Sequence, residues 1–120
     1  MARQNISSGS PWEDKIGYSR AVKIGNVIEL SGTTAPGETL EEQTKAVIEL
    51  AQKVLEENGS SLKDVVRTRI FTTDISQWEV IGAVHGSFFK DIKPATTMVE
   101  ISKLIDPEIQ IEIEFTAVLS

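Results

Sequence analysis

Ile111-Glu112-Ile113-Glu114-Phe115-Thr116-Ala117-Val118 decides the fold. Ile109, Ile111, Ile113, Phe115 and Ala117 fall on one side of this segment; Gln110, Glu112, Glu114, Thr116 and Val118 fall on the other. A repeat of two marks a β-strand with one apolar face, predicted here over 109–119. Glu112 and Glu114 stand in a row on the opposite face. Carboxylates there need water or a partner, so this strand poses the functional question as well.

Upstream, Pro94-Ala95-Thr96-Thr97-Met98-Val99-Glu100-Ile101 is a second β-branched run. It predicts a strand over 96–103, with a turn at Asp106-Pro107 leading into the last strand. Val65 to Ile75 predicts a further strand, with Val66, Thr68, Ile70 and Thr72 on one face and Arg67, Arg69 and Phe71 on the other. Between these strands, Val80, Ile81, Val84 and Phe88 give an amphipathic helix over about 77–90. Ser76 to Glu79 fits a capping box at its start.

Thr39-Leu40-Glu41-Glu42 is another capping box, opening a helix over 40–57 whose apolar stripe includes Leu40, Val47, Leu50, Ala51, Val54 and Leu55. Asn58-Gly59 ends it with a left-handed cap. Tyr18–Ile24 and Val27–Ser31 flank Gly25-Asn26, a hairpin signal because both turn residues tolerate positive φ. Residues 1–17 contain Ser7-Ser8-Gly9-Ser10-Pro11 and read as an irregular arm anchored by Trp12. The order is ββαβαββ: a two-layer α+β domain with two helices on one face of a mixed sheet. The other sheet face is polar yet β-branched, which suggests covering by further subunits.

The chain has 120 residues, one domain by length. A net charge of −6 argues against a general nucleic-acid partner. Cysteine is absent, so neither disulfides nor thiol chemistry is expected, and the one histidine, His85, excludes a His-rich metal site within one chain. Met1 to Ser10 is polar and no apolar stretch could span a bilayer. The expectation is a cytoplasmic protein with no membrane association.

An ordered set of segments carries a resemblance over about 16–118. It comprises Tyr18 through Gly25-Asn26, Ser31-Gly32, Gly59 with Leu62, Asp64 and Val65, and Phe71 with Asp74. It continues through Phe88-Phe89, Pro94-Ala95, Val99-Glu100 and Ile111 to Glu114. Together these resemble the reactive intermediate deaminase family (RidA/YjgF). The resemblance implies a chorismate-mutase-like fold, a homotrimer, and ligand clefts between neighbouring subunits. It implies hydrolysis of 2-imino acids or their enamine tautomers to 2-keto acids and ammonia, with no metal and no organic cofactor. It assigns water activation to the position of Glu112 and the shaping of the pocket to Tyr18, Ser31 and Gly32.

This sequence departs from that pattern where the family's Arg follows Pro-Ala and clamps the substrate carboxylate. Thr96 stands there, and a hydroxyl supplies neither charge nor a guanidinium fork. Gly82 and His85 replace an Asn and a Tyr common in the second helix, and Ser31-Gly32-Thr33-Thr34 differs from the usual Ser-Gly-Gln. Arg20 is a candidate substitute cation on the strand face of Tyr18; alternatively it is a solvated surface charge. Glu112 is either the general base or an ion-pair partner of Arg67 or Arg69. His85 lines the pocket or lies on the helix surface.

The leading expectation is a small-molecule hydrolase of altered substrate or weak deaminase activity, with Ser31 and Thr96 hydroxyls orienting the substrate. The alternative is a non-catalytic metabolite-binding or regulatory trimer. Ribonuclease or translation-inhibitor activity ranks last, given the acidic balance and the lack of a basic, aromatic platform.

Overall fold

The structure, a computed structural model, describes residues 1–120. Six strands form one sheet: β1 (Arg3–Ile6), β2 (Ala21–Ile24), β3 (Val27–Thr33), β4 (Val65–Thr72), β5 (Ala95–Glu100) and β6 (Ile111–Val118), in the spatial order β1-β2-β3-β6-β4-β5. Three helices accompany them: α1 (Pro11–Ile16), α2 (Leu40–Glu57) and α3 (Trp78–Phe89). The last strand therefore inserts between β3 and β4, antiparallel to both, while β4 and β5 run parallel. A parallel pair needs a crossover, and α3 supplies it.

Strand β6 alternates as its sequence requires. Ile111, Ile113, Phe115 and Ala117 are buried, and the residues between them are half-buried. Val47, Ile48, Ala51 and Leu55 of α2, with Ile81 and Phe89 of α3, close over that apolar face. Ile48 is buried and Leu50 exposed, so the buried stripe of α2 is rotated from the predicted one. The helix starts as read: Thr39 Oγ1 accepts from the Glu42 amide at 3.1 Å. Glu42 reaches back one residue further than a capping box requires, accepting from the Glu38 amide at 3.0 Å. Gly59, at φ 82°, supplies the left-handed turn after the helix.

The N-terminal segment corrects the sequence reading. Residues 1–17 are not an irregular arm. Strand β1 pairs antiparallel with β2, Arg3 opposite Ile24 and Ile6 opposite Ala21. Its polar composition hid it, because an edge strand can be held by its backbone ladder with little apolar burial. The Ser10-Pro11 pair, read as a breaker, is a helix start. Ser10 Oγ accepts from the Trp12 amide at 3.3 Å, and Pro11 occupies the first turn, where its missing N–H is harmless. Trp12 does not anchor this segment, being 58% exposed. Glu13 does: its carboxylate accepts from the Ser8 amide (3.0 Å) and hydroxyl (2.6 Å), and those bonds hold its pKa below the usual carboxylate value.

Smaller differences have local causes. Only Gly25 of the Gly25-Asn26 turn has positive φ. A bulge in β4 sets Val65 opposite Ala117 and Arg67 opposite Thr116, so Val65 is buried and Val66 is the exposed extra residue. Strand β4 ends at Thr72 because Asp74 starts a short 3₁₀ turn, Ile75–Gln77, accepting from the Ser76 amide at 3.1 Å. Asp74 thus takes the capping role expected of Ser76, and α3 itself has no side-chain cap.

Candidate functional site

The β3–β6 ladder is interrupted between Leu30 and Thr33. Ser31 and Gly32 fill this irregularity, a device that bends a strand and re-aims its neighbours. Arg20 fastens it: Nη2 donates to the carbonyls of Ser31 (2.8 Å) and Gly32 (2.9 Å). The Ser31 hydroxyl donates to the Ser19 carbonyl at 2.6 Å, and Thr33 Oγ1 donates to the Ser31 carbonyl at 2.9 Å.

Gly32 is needed here for space. A β-carbon at this position would lie 2.6 Å from Cδ and 2.8 Å from Oε1 of Glu112. The Glu112 carboxyl therefore rests directly on the backbone of the bulge. It lines a pocket of about 300 Å³ with Thr34, Lys103, Leu104, Ile105 and Ile109. Burial raises the Glu112 pKa, and the neighbouring Glu114 carboxylate raises it further; Arg20 opposes both. Arg20 makes no ion pair with it, the one ion pair in the chain being Arg69–Glu114 at 4.0 Å. Burial lowers the pKa of Arg20, and its Nε is buried without an acceptor.

Arg20 and Tyr18 precede β2 and are not strand residues, so the predicted shared strand face does not exist. Tyr18 and Ser31 line a separate cavity of about 590 Å³ with Glu13 and Ser19. Thr96 is distant from Glu112 within one subunit. It sits opposite Thr68 on β5, on the helix-covered side of the sheet, whereas Glu112 faces the uncovered side opposite Phe71.

On the helix side Thr68, fully buried, makes two bonds, 3.0 Å to His85 Nε2 and 2.7 Å to Thr96 Oγ1. Thr96 Oγ1 also donates to the Pro94 carbonyl at 3.2 Å. His85 packs against Phe89 with ring centroids 4.6 Å apart and planes tilted by 34°, and burial lowers its pKa. His85 is thus partly interior. Thr68 was missed as a site neighbour, although a threonine at a core-facing strand position signals a buried hydroxyl that needs partners. On the open face, Arg67 Nη2 donates to Thr97 Oγ1 at 2.7 Å. No group of three His, Asp or Glu side chains is placed to hold a metal ion. No helix is long and apolar enough to cross a membrane.

The family model described as Endoribonuclease L-PSP matches residues 12–119. The crystal structure of Rv2704 from Mycobacterium tuberculosis, a member of the YjgF/YER057c/UK114 family, is 44% identical. It superposes with a TM-score of 0.95, over 98% of this chain and 100% of that one. The chain belongs to the RidA/YjgF family. A RutC family protein of Pyrococcus abyssi is 37% identical over 108 residues, 83% of this chain and 84% of its own length. An uncharacterized protein of Streptomyces coelicolor is 32% identical, over 97% of this chain and 92% of its own. Yeast Mmf1, at 23% identity and a TM-score of 0.86, shares the fold. The RidA/YjgF scaffold expected from the ordered motifs is thereby established, together with its α+β architecture.

Proposed function

We propose that this RidA/YjgF protein hydrolyses small imines or their enamine tautomers, with Glu112 as general base, in clefts between the subunits of a homotrimer. The observation that carries this reading is the half-buried Glu112 carboxyl, seated on Gly32, with its pKa raised toward the range useful for proton transfer. Ionised Glu112 takes a proton from water as the oxygen bonds to the imine carbon and passes that proton to the nitrogen, giving a neutral carbinolamine with Glu112 ionised again. Glu112 then takes the hydroxyl proton of the tetrahedral carbinolamine and delivers it to the amino nitrogen as the C–N bond breaks, so the carbonyl forms and ammonia leaves. Water and imine become carbonyl and ammonia, with no electron transferred to or from an external carrier.

Two features support the trimer. The sheet face bearing Arg67, Arg69, Phe71, Glu112 and Glu114 has no helix over it, and closed cyclic assembly is an efficient cover. Thr96 and Glu112 occupy opposite faces of one subunit's sheet, so a cleft containing both takes them from different subunits. The absence of an arginine at 96 favours substrates other than simple 2-imino acids, or slow turnover of those. A retained scaffold that binds metabolites without turnover is the second reading, favoured by the same replacement.

The test is release of ammonia from imines generated in situ, with and without a carboxylate, by wild type and Glu112→Gln. Turnover lost in Glu112→Gln supports the assignment. Ligand binding with no turnover of any imine by wild type replaces it with the second reading. RNA cleavage that survives Glu112→Gln would overturn both.

A further inference from the structure

With all three of its bonds made at once, the hydrogen-bond chain Pro94–Thr96–Thr68–His85 has one consistent direction, set at the Pro94 end. A carbonyl can only accept, so the Thr96 hydroxyl proton goes to the Pro94 oxygen. Thr96 Oγ1 must then accept from Thr68, which holds one proton of its own. Thr68 Oγ1, with that proton directed to Thr96, must accept from His85 Nε2. Thr68 is fully buried, so no water competes at its hydroxyl, and a buried hydroxyl left unpaired is costly; the Thr96–Pro94 bond at the other end is exposed. The ring is itself held, packed against Phe89. His85 therefore carries its proton on Nε2 in this arrangement, and the direction is the same for imidazole and imidazolium.

This polarity has a consequence at the solvent-exposed end. Thr96 is exposed at the edge strand β5, its one proton already committed to Pro94. What its oxygen retains is a lone pair. We propose that His85, acting through Thr68, is a positioning residue that fixes Thr96 as a hydrogen-bond acceptor, so that the cleft selects an N–H or O–H donor at this point rather than a carboxylate. The inference deepens the proposed function, on which it rests for placing Thr96 in the cleft. It names the substrate class as imines or enamines whose neighbouring group is an amide, amine or hydroxyl.

The test uses full-length protein in its native assembly. Nitrogen-15 shifts of the His85 ring should show Nε2 protonated and Nδ1 bare above the His85 pKa; an Nδ1–H tautomer overturns the proposal. Amide and methyl shifts of Thr96 are then followed while titrating 2-oxobutyramide and 2-oxobutyrate, product-like probes differing only in amide against carboxylate. The amide should bind about tenfold tighter, one hydrogen bond's worth of discrimination. His85→Phe, which keeps the packing against Phe89 but has no donor, should erase this preference. His85→Gln, whose side-chain amide can donate from a similar reach, should retain it. Equal affinity, a preference for the carboxylate, or no response of Thr96 to either probe overturns the proposal. None of these readouts needs turnover, so they are independent of whether Glu112 catalyses hydrolysis.

Discussion

Gly32→Ala isolates the contact that makes Glu112 a candidate base. The new methyl would stand 2.6 Å from Cδ of Glu112, whereas ordinary contact begins near 3.4 Å, so the carboxyl must retreat by about 0.8 Å. The Gly32 backbone is outside the left-handed region, so alanine brings no conformational strain of its own. The displaced group is the free end of a half-buried side chain, which can swing toward solvent. Stability should therefore change by no more than about 1 kcal/mol. A catalytic group misplaced by nearly 1 Å loses much more, and kcat/KM for imine hydrolysis should fall about 10- to 100-fold. The same movement relieves burial, so the Glu112 pKa should fall back toward the ordinary carboxylate value. Carbon-13 titration of the Glu112 carboxyl reads that shift directly, without reference to activity. In a Glu112→Gln background, Gly32→Ala should cost almost nothing further in rate, because the two changes act on one group. An unaltered Glu112 titration together with unaltered kcat/KM would refute the reasoning.

Glu112→Gln should lower turnover by about 100- to 10,000-fold and yet leave the protein at least as stable at pH 7. A raised carboxyl pKa means that the folded chain holds this proton more tightly than the unfolded chain. Stability is therefore lost as pH rises from the unfolded value through the folded one. For a half-exposed group the gain on substitution is about 1 kcal/mol or less after screening, and urea denaturation at pH 4 and pH 7 measures it. Arg20→Ala leaves the carbonyls of Ser31 and Gly32 without their side-chain donor, so it should destabilise by about 1–3 kcal/mol. It should also raise the Glu112 pKa further by removing the opposing charge, visible in the same carboxyl titration. Phe115→Ala, at a fully packed position between β6 and the helices, should destabilise by about 3–5 kcal/mol in a denaturant melt. Light scattering at micromolar concentration should give a trimer mass; a monomer would leave the open sheet face unexplained.

The sheet and its helices were legible because their periods are strong. β6 alternates without a fault, and the Thr39 cap and Gly59 bracket α2 with chemistry that only a helix boundary needs. The N-terminal seventeen residues were not legible, for a physical reason. Strand β1 is polar at an edge, so no hydrophobic period marks it, and α1 is too short to show one. Ser10-Pro11 carries signals for both a break and a helix start, and only the following Glu13, tied back to Ser8, settles which applies. The bulge at Val66 was also invisible, since one inserted residue in a β-branched run leaves composition unchanged while exchanging the faces of its neighbours.

The candidate site divides along the same line between local and distant information. Glu112 was legible as a carboxylate on the non-core face of a closing strand. What makes it unusual lies far away in sequence: a glycine on β3 that leaves room for its carboxyl, and an arginine before β2 that holds that glycine's carbonyl. The replacement of arginine by Thr96 was equally legible, but its meaning required the fold. A threonine on the uncovered face would simply have lost a charge. Here Thr96 lies on the helix side and joins Thr68 and His85, so the change converts a position read as a charged clamp into the end of an uncharged, directed hydrogen-bond chain. Thr96→Arg therefore tests more than the return of a charge. The longer side chain removes the acceptor of the Thr68 proton and leaves His85 as the remaining partner of that buried hydroxyl, and a buried donor without its acceptor costs about 1–3 kcal/mol. Arginine at 96 should lower stability while restoring carboxylate affinity, and Thr96→Arg combined with Thr68→Val, which removes the donor left without an acceptor but also the partner of His85, should recover part of the stability and keep the new affinity. Equal stability of the wild type and the single variant in urea melts would show that the Thr68–Thr96 bond contributes nothing.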